Sequence, residues 1–127
     1  AFENHGKSVN EKLVFLDLNS HGQIDRAVDL AMNQEVDCII CSDDVICSRA
    51  LIRLGELGVR IPQDIKIASF YDSIHLANYN PPITSLKIDI KALGIEAGKV
   101  LISLINGEEV PHQTLLDYEI VLKKSTM

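Results

Sequence analysis

DCIICSDDVICSRALIRLGELGVRIPQDIKIASFYDSIHLANYNPPITSLK, residues Asp37–Lys87, is the stretch that decides the fold. An apolar run, Asp37–Ser42, ends in the acidic pair Asp43-Asp44. A segment of helical spacing follows, and the turn Gly58-Val59-Arg60-Ile61-Pro62 leads into a second apolar run, Ile65–Phe70. That run ends in Phe70-Tyr71-Asp72, and a polar loop then reaches Pro81-Pro82-Ile83-Thr84-Ser85. Two strand ends bearing polar side chains therefore lie close together in the chain. In an open parallel sheet, ligands bind just beyond the carboxyl ends of the strands, so this layout suits a small-molecule site.

Working outward, Leu13–Leu18 (LVFLDL) reads as a short buried strand with the turn Asn19-Ser20-His21-Gly22 behind it. Ile24, Ala27, Val28 and Ala31 recur at helical spacing and predict a helix over 23–34. Asp43 and Asp44 stand where a helix N-cap belongs, and Ile46, Ala50, Leu54 and Leu57 mark the buried stripe behind them. Gly58 is placed to end this helix, and Pro62 prevents its resumption. Residues 72–82 should be loop with at most a helical turn, and 83–87 should be extended. Asp89 caps a long helix with an apolar stripe of Ile90, Leu93, Ala97, Val100, Leu101, Leu104 and Ile105, stopped by Asn106-Gly107. Leu116, Tyr118, Ile120 and Leu122 then alternate with more polar residues, which is the period of a strand with one wetter face. The expected fold is α/β, a parallel sheet flanked by helices on both faces, with 13–18, 37–42 and 65–70 in one sheet. The long-helix stripe is too apolar to stay in water, so Leu93, Val100, Leu101 and Leu104 should be covered by another copy, a swapped segment or the chain's own sheet.

The 127 residues suffice for one domain, and 46% apolar with 24% charged residues is ordinary for a globular chain. Eighteen acidic against twelve basic residues give a net charge of -6. Phosphate contacts need a concentrated basic face, so these residues should not bind nucleic acid by themselves. No apolar run approaches the ~20 residues of a membrane helix, so no membrane partner is expected. The opening Ala1-Phe2-Glu3-Asn4-His5-Gly6 resembles the end of a helix, and the chain reads as a fragment of a longer, cytoplasmic protein. Cys38 and Cys41 have metal-motif spacing, but on a strand they point to opposite faces and cannot share an ion. With Cys47 they read as small buried hydrophobes. His5, His21, His75 and His112 are scattered, and neither cofactor nor metal is expected.

An enzyme would need a nucleophile elbow, a phosphate loop or a catalytic set on strand ends, and none is present. The best enzymic rival is a phospho-accepting receiver domain, suggested by Asp17, Asp43 and Asp44. A receiver's acidic pair follows its first strand, however, and no lysine stands at a late strand end here. A second rival is the sugar-binding protein of a transporter.

Six pieces in order resemble the effector domain of LacI/GalR transcription regulators: Asp43-Asp44, Gly58–Asp64, Phe70-Tyr71-Asp72, Pro81–Ser85, Gly94-Ile95-Glu96-Ala97 and Lys123-Lys124-Ser125-Thr126. Asp43 replaces the family's usual Asn, Ser69 its Gly, and Tyr71 the first Asp of its Phe-Asp-Asp triplet; the variant looks most like the maltose-operon branch. The resemblance implies the second lobe of a periplasmic-binding-protein-like type I fold, with 83–106 crossing to the first lobe and the DNA-reading helix-turn-helix outside this chain. It implies a repressor of carbohydrate-utilisation genes whose small effector, a sugar, is gripped by Asp43, Tyr71, Asp72 and the Leu18-Asn19 loop. It also implies a homodimer through Ile46, Arg49, Ala50, Arg53, Leu76 and Tyr79, operator DNA as partner, and a phosphocarrier protein as alternative corepressor. Arg49 stands where the family usually has Gly, and a cation there could reach an acid across the dimer axis.

Overall fold

Two parallel pairings and one antiparallel pairing join four strands in the order β1-β2-β3-β4: Cys38–Cys41, Lys66–Ser69, Thr84–Ile88 and Tyr118–Val121. The computed structural model describes residues 5–6 and 8–127; of the expected helix end at Ala1–Gly6, residues 1–4 lie outside them. β1 and β2 run parallel in the register Ile39 to Ile67, and β2 and β3 parallel with Ser69 beside Ser85. β4 runs antiparallel to β3, Ile88 facing Tyr118.

Each helix starts where its sequence provides a cap. Ser20 accepts from the Gln23 N–H, and the Gln23 side chain reaches back to the Asn19 N–H, which opens α1 (His21–Asn33). Asp43 caps α2 (Asp44–Glu56) through the Ile46 N–H at 2.8 Å. α2 ends in the turn that Gly58 allows at φ +70: Val59 donates to Leu54 O and Gly58 to Gly55 O. Ser73 caps a single turn, α3 (Ile74–Ala77), and Asp89 caps α4 (Ile90–Ile105).

The core lies between α1, α2 and one face of β1–β3. Ile24 and Val28 of α1 meet Cys47, Ala50, Leu51 and Leu54 of α2 over Cys41, Ile65, Ile67 and Ile83. Burying side chains of this size contributes about 1.5–3 kcal/mol for each large one. The C-terminal tail completes the sheet. Ile67 donates its N–H to Ser125 O and accepts from Ser125 Oγ at 2.6 Å, while Ser125 Oγ also takes the Thr84 N–H at 2.8 Å. Ser125 thus fills the part of the β2–β3 ladder where Pro82, lacking an N–H, cannot pair, and its own N–H donates to Pro82 O.

The structure departs from the expected fold in four places. Residues 13–18 are not a strand: Leu13 closes a 3-10 turn (Glu11–Leu13), and the rest stays outside the sheet. A cavity of about 350 Å³ separates the segment from β1, and Asp17 takes a left-handed φ of 56 that no ladder accommodates. The return strand β4 is antiparallel to β3, so the segment 89–117 between them is not a parallel crossover. Helices cover one face only; Cys38, Ile40 and Lys66, which point to the other, are exposed. None of α4 is buried, so it does not dock on its own sheet: Leu93, Leu101 and Leu104 are exposed and Val100 half-buried. No helix among the described residues is long and apolar enough to cross a membrane.

Candidate functional site

The carboxyl ends of β1 and β2 are held side by side by their register, Cys41 next to Ser69, and the Phe70 N–H extends the ladder to Cys41 O at 2.9 Å. Ser42-Asp43 and Phe70-Tyr71 therefore leave the sheet together. Phe70 and Tyr71 stay 56% and 45% exposed, so both aromatics are open to solvent at this edge. Below them lies a polar floor: Ser69 and Ser85, neighbours in the ladder, are both buried.

Asp43 uses both carboxylate oxygens inside the chain. One caps α2, and the other accepts from Ser42 Oγ at 3.0 Å. The cap is thus Asp43, while Asp44 sits half-buried in the first turn. Capping leaves lone pairs on Asp43, so its carboxylate can still accept from a ligand hydroxyl.

Asp72 is tied down more firmly. Its Oδ1 accepts from Lys123 Nζ at 2.5 Å and from Ser85 Oγ at 2.6 Å, and Lys123 also donates to Ser85. The Lys123 ammonium, helped by the Ser85 hydroxyl, holds the Asp72 carboxyl below the usual carboxylate range. Leu18 is half-buried and lines the 350 Å³ cavity with Ser42, Ile46 and Phe70, whereas Asp43, Tyr71, Asp72 and Asn19 do not. Asn19 is exposed, with its N–H taken by Gln23.

Sequence reasoning missed Ser42, Phe70, Ser85 and Lys123. Ser85 and Lys123 carried a usable signal, being polar residues within apolar strand patterns.

The residues expected at a dimer surface divide sharply. Ala50 and Leu76 are buried in the chain's own core, and Ile46 packs against it, because α2 turns the Ile46-Ala50 stripe inward and Leu76 is the buried residue of the single turn α3. Arg49 reaches an acid of its own chain: it forks onto Asp25 of α1 at 2.7 and 2.6 Å, while Arg53 forks onto Asp29 at 2.9 and 3.1 Å. The Arg49 guanidinium depresses the Asp25 pKa, and Asp25 in turn raises that of Arg49. Tyr79 stays partly exposed beside Arg60 and Pro62. The outward residues of this face are instead Val45, Ile52 and Ile74.

Of the cysteines, Cys41 and Cys47 are buried, and the contact with Cys47, with burial behind it, pushes the Cys41 thiol up. Cys38 is exposed, contrary to expectation, because its face of β1 has no cover. No cluster of metal-ligating side chains occurs among the described residues.

Residues 2–126 match the family described as periplasmic binding protein-like domain. The chain is 27% identical over 79% of its length to the transcriptional regulator MalR of Streptomyces coelicolor, and 33% over 76% to the transcriptional repressor PurR of Pasteurella multocida. It spans 29% of the length of each. Among solved structures, a LacI-type transcription regulator from Bifidobacterium animalis is similar over 99% of this chain and 46% of that one, with TM-score 0.79 and 28% identity.

Removing the Lys123 charge isolates the Asp72 anchor. Lys123→Met should cost about 1–2 kcal/mol near neutral pH, the low end for a charged hydrogen bond because the pair still touches water. A carboxyl with a depressed folded pKa stabilises above its unfolded value of about 3.9 and loses that contribution as pH falls through the folded pKa. The deficit measured by urea unfolding should therefore shrink below about pH 4. A deficit independent of pH would show that packing of the lysine stem, not its charge, matters.

Proposed function

The chain belongs to the family of periplasmic-binding-protein-like domains in the form found in LacI-type regulators, and on that premise we propose that it supplies the second lobe of the effector-binding unit of a sugar-responsive transcription regulator. The observation that carries the reading is that two exposed aromatics, Phe70 and Tyr71, follow the carboxyl end of β2 while Asp43 follows that of β1, the strand paired parallel to it. Sugars present alternating apolar faces and hydroxyl rims, and aromatic rings with a carboxylate match both. Asp72 contributes from beneath by fixing Ser85 and the strand end, and Leu18-Asn19 forms one side of the opening.

In this reading residues 83–106 cross to a first lobe that covers α4, whose apolar surface otherwise faces water. An N-terminal helix-turn-helix of the longer protein reads operator DNA, consistent with the acidic balance of this chain. The protein works in the cytoplasm as a repressor of carbohydrate-utilisation genes. It pairs two-fold through Val45, Ser48, Ile52 and Ile74, with Arg49 and Arg53 bracing α2 from behind. Effector and DNA then communicate through the relative setting of the two lobes.

Calorimetric titration of the full-length regulator with a panel of sugars and purines tests the ligand. A sugar is expected to bind, and Tyr71→Ala should weaken it at least tenfold with unchanged thermal unfolding. Binding of a purine alone, or of a phosphocarrier protein alone, would replace the sugar reading. Ile52→Asp should lower the dimer affinity of the same protein at least tenfold by sedimentation; an unchanged dimer would move the interface elsewhere.

A further inference from the structure

β2 carries one residue that its own pattern does not call for. Ile65 and Ile67 are buried in the core, and two positions further the same face presents a serine, Ser69, only 3% exposed. A hydroxyl at an enclosed position needs a hydrogen-bond partner. Ser69 meets that need two residues ahead in its own chain: the Tyr71 N–H donates to Ser69 Oγ at 3.1 Å. An aliphatic side chain would enlarge the core but offer Tyr71 no acceptor, and neither would glycine, the usual residue here in the LacI/GalR pattern.

Tyr71 is thereby the middle of three consecutive residues with three separate anchors. The Phe70 N–H is held by Cys41 O of β1 at 2.9 Å, and the Tyr71 N–H by Ser69 at the end of β2. The Asp72 carboxylate is held by Ser85 of β3 and Lys123 of the tail. The chain is fixed on both sides of Tyr71, yet Tyr71 itself stays 45% exposed. Such fixation adds little to folding, because water serves an exposed N–H nearly as well. It matters for binding: ordering a residue costs conformational entropy, and a site ordered before the ligand arrives removes that cost from the binding step.

We propose that Ser69 is a positioning residue of the effector site, its hydroxyl holding the Tyr71 backbone in the setting in which the ring meets the ligand. Being enclosed, Ser69 acts through Tyr71 and not on the ligand. The identity of the ligand rests on the sugar reading; the hold on Tyr71 does not.

The test uses the full-length regulator, its Ser69→Ala and Tyr71→Ala variants and the double variant, with maltose, cellobiose and glucose as probes. Thermal unfolding establishes that each variant is folded; should Ser69→Ala not fold, Ser69→Gly carries the same measurements. Without sugar, hydrogen exchange at the Tyr71 amide should be roughly tenfold faster in Ser69→Ala, with Phe70 unchanged because Cys41 holds it. By calorimetry, Ser69→Ala should weaken the tightest of the three sugars about fivefold or more, but less than about twofold once Tyr71 is alanine. Unchanged exchange at Tyr71 would overturn the proposal. So would an equal loss of affinity with and without the Tyr71 ring, which means that Ser69 acts by another route. If none of the three sugars binds the unaltered regulator, the sugar reading falls, while the exchange at Tyr71 still decides whether Ser69 holds it.

Discussion

Ser125 holds the sheet together at its weakest point. β2 and β3 pair directly only from Ala68 and Thr84 onward, and just before that point Pro82 offers no donor. The tail brings one residue, fully buried, whose backbone and hydroxyl bond Ile67 on one side and Pro82 and Thr84 on the other. Each of these groups would otherwise be buried without a partner, at a cost of about 1–3 kcal/mol apiece. A hydroxyl is the smallest side chain able to accept from one strand and donate to the other, which explains a serine at a fully enclosed position.

The same tail sets the site. Two residues before Ser125, Lys123 reaches under the strand ends to Asp72 and Ser85, and Thr84 Oγ1 accepts from the Lys123 N–H at 2.8 Å. The last residues of the chain therefore determine where Phe70 and Tyr71 leave β2. On the far side, Asp43 sets where α2 leaves β1, and the Arg49–Asp25 and Arg53–Asp29 forks fix α2 against α1. The two aromatics follow an anchored strand end and remain exposed. The apolar surface of α4 and the open edge of β1 are of a different kind, since no internal contact satisfies them.

Most of the fold was legible because it is written in local signals. Gly58, Asp89 and Gly107 mark helix ends by capping and by left-handed turns, and each lies where the sequence placed it, whereas the pair Asp43-Asp44 left open which of the two caps α2. The strand at 13–18 was misread because an apolar run announces burial, not pairing, and pairing depends on a neighbour. The orientation of β4 was illegible for the same reason. At the site, Asp43, Tyr71 and Asp72 could be singled out by position, but not the division of labour among them: a carboxylate that caps or pairs looks the same in sequence as one that waits for a ligand. Ala50 and Leu76 were assigned to a dimer surface by family resemblance, although the helical spacing already put Ala50 on the buried stripe, where the structure has it.

The tail, not the long helix, fixes the strand ends. Hydrogen exchange on the chain with and without Lys123–Met127 measures it directly. Loss of the tail should speed exchange at Ile67, Thr84, Phe70 and Tyr71 by at least tenfold while α1 and α2 keep their protection. Unchanged exchange at Ile67 and Thr84 in the shortened chain would contradict it.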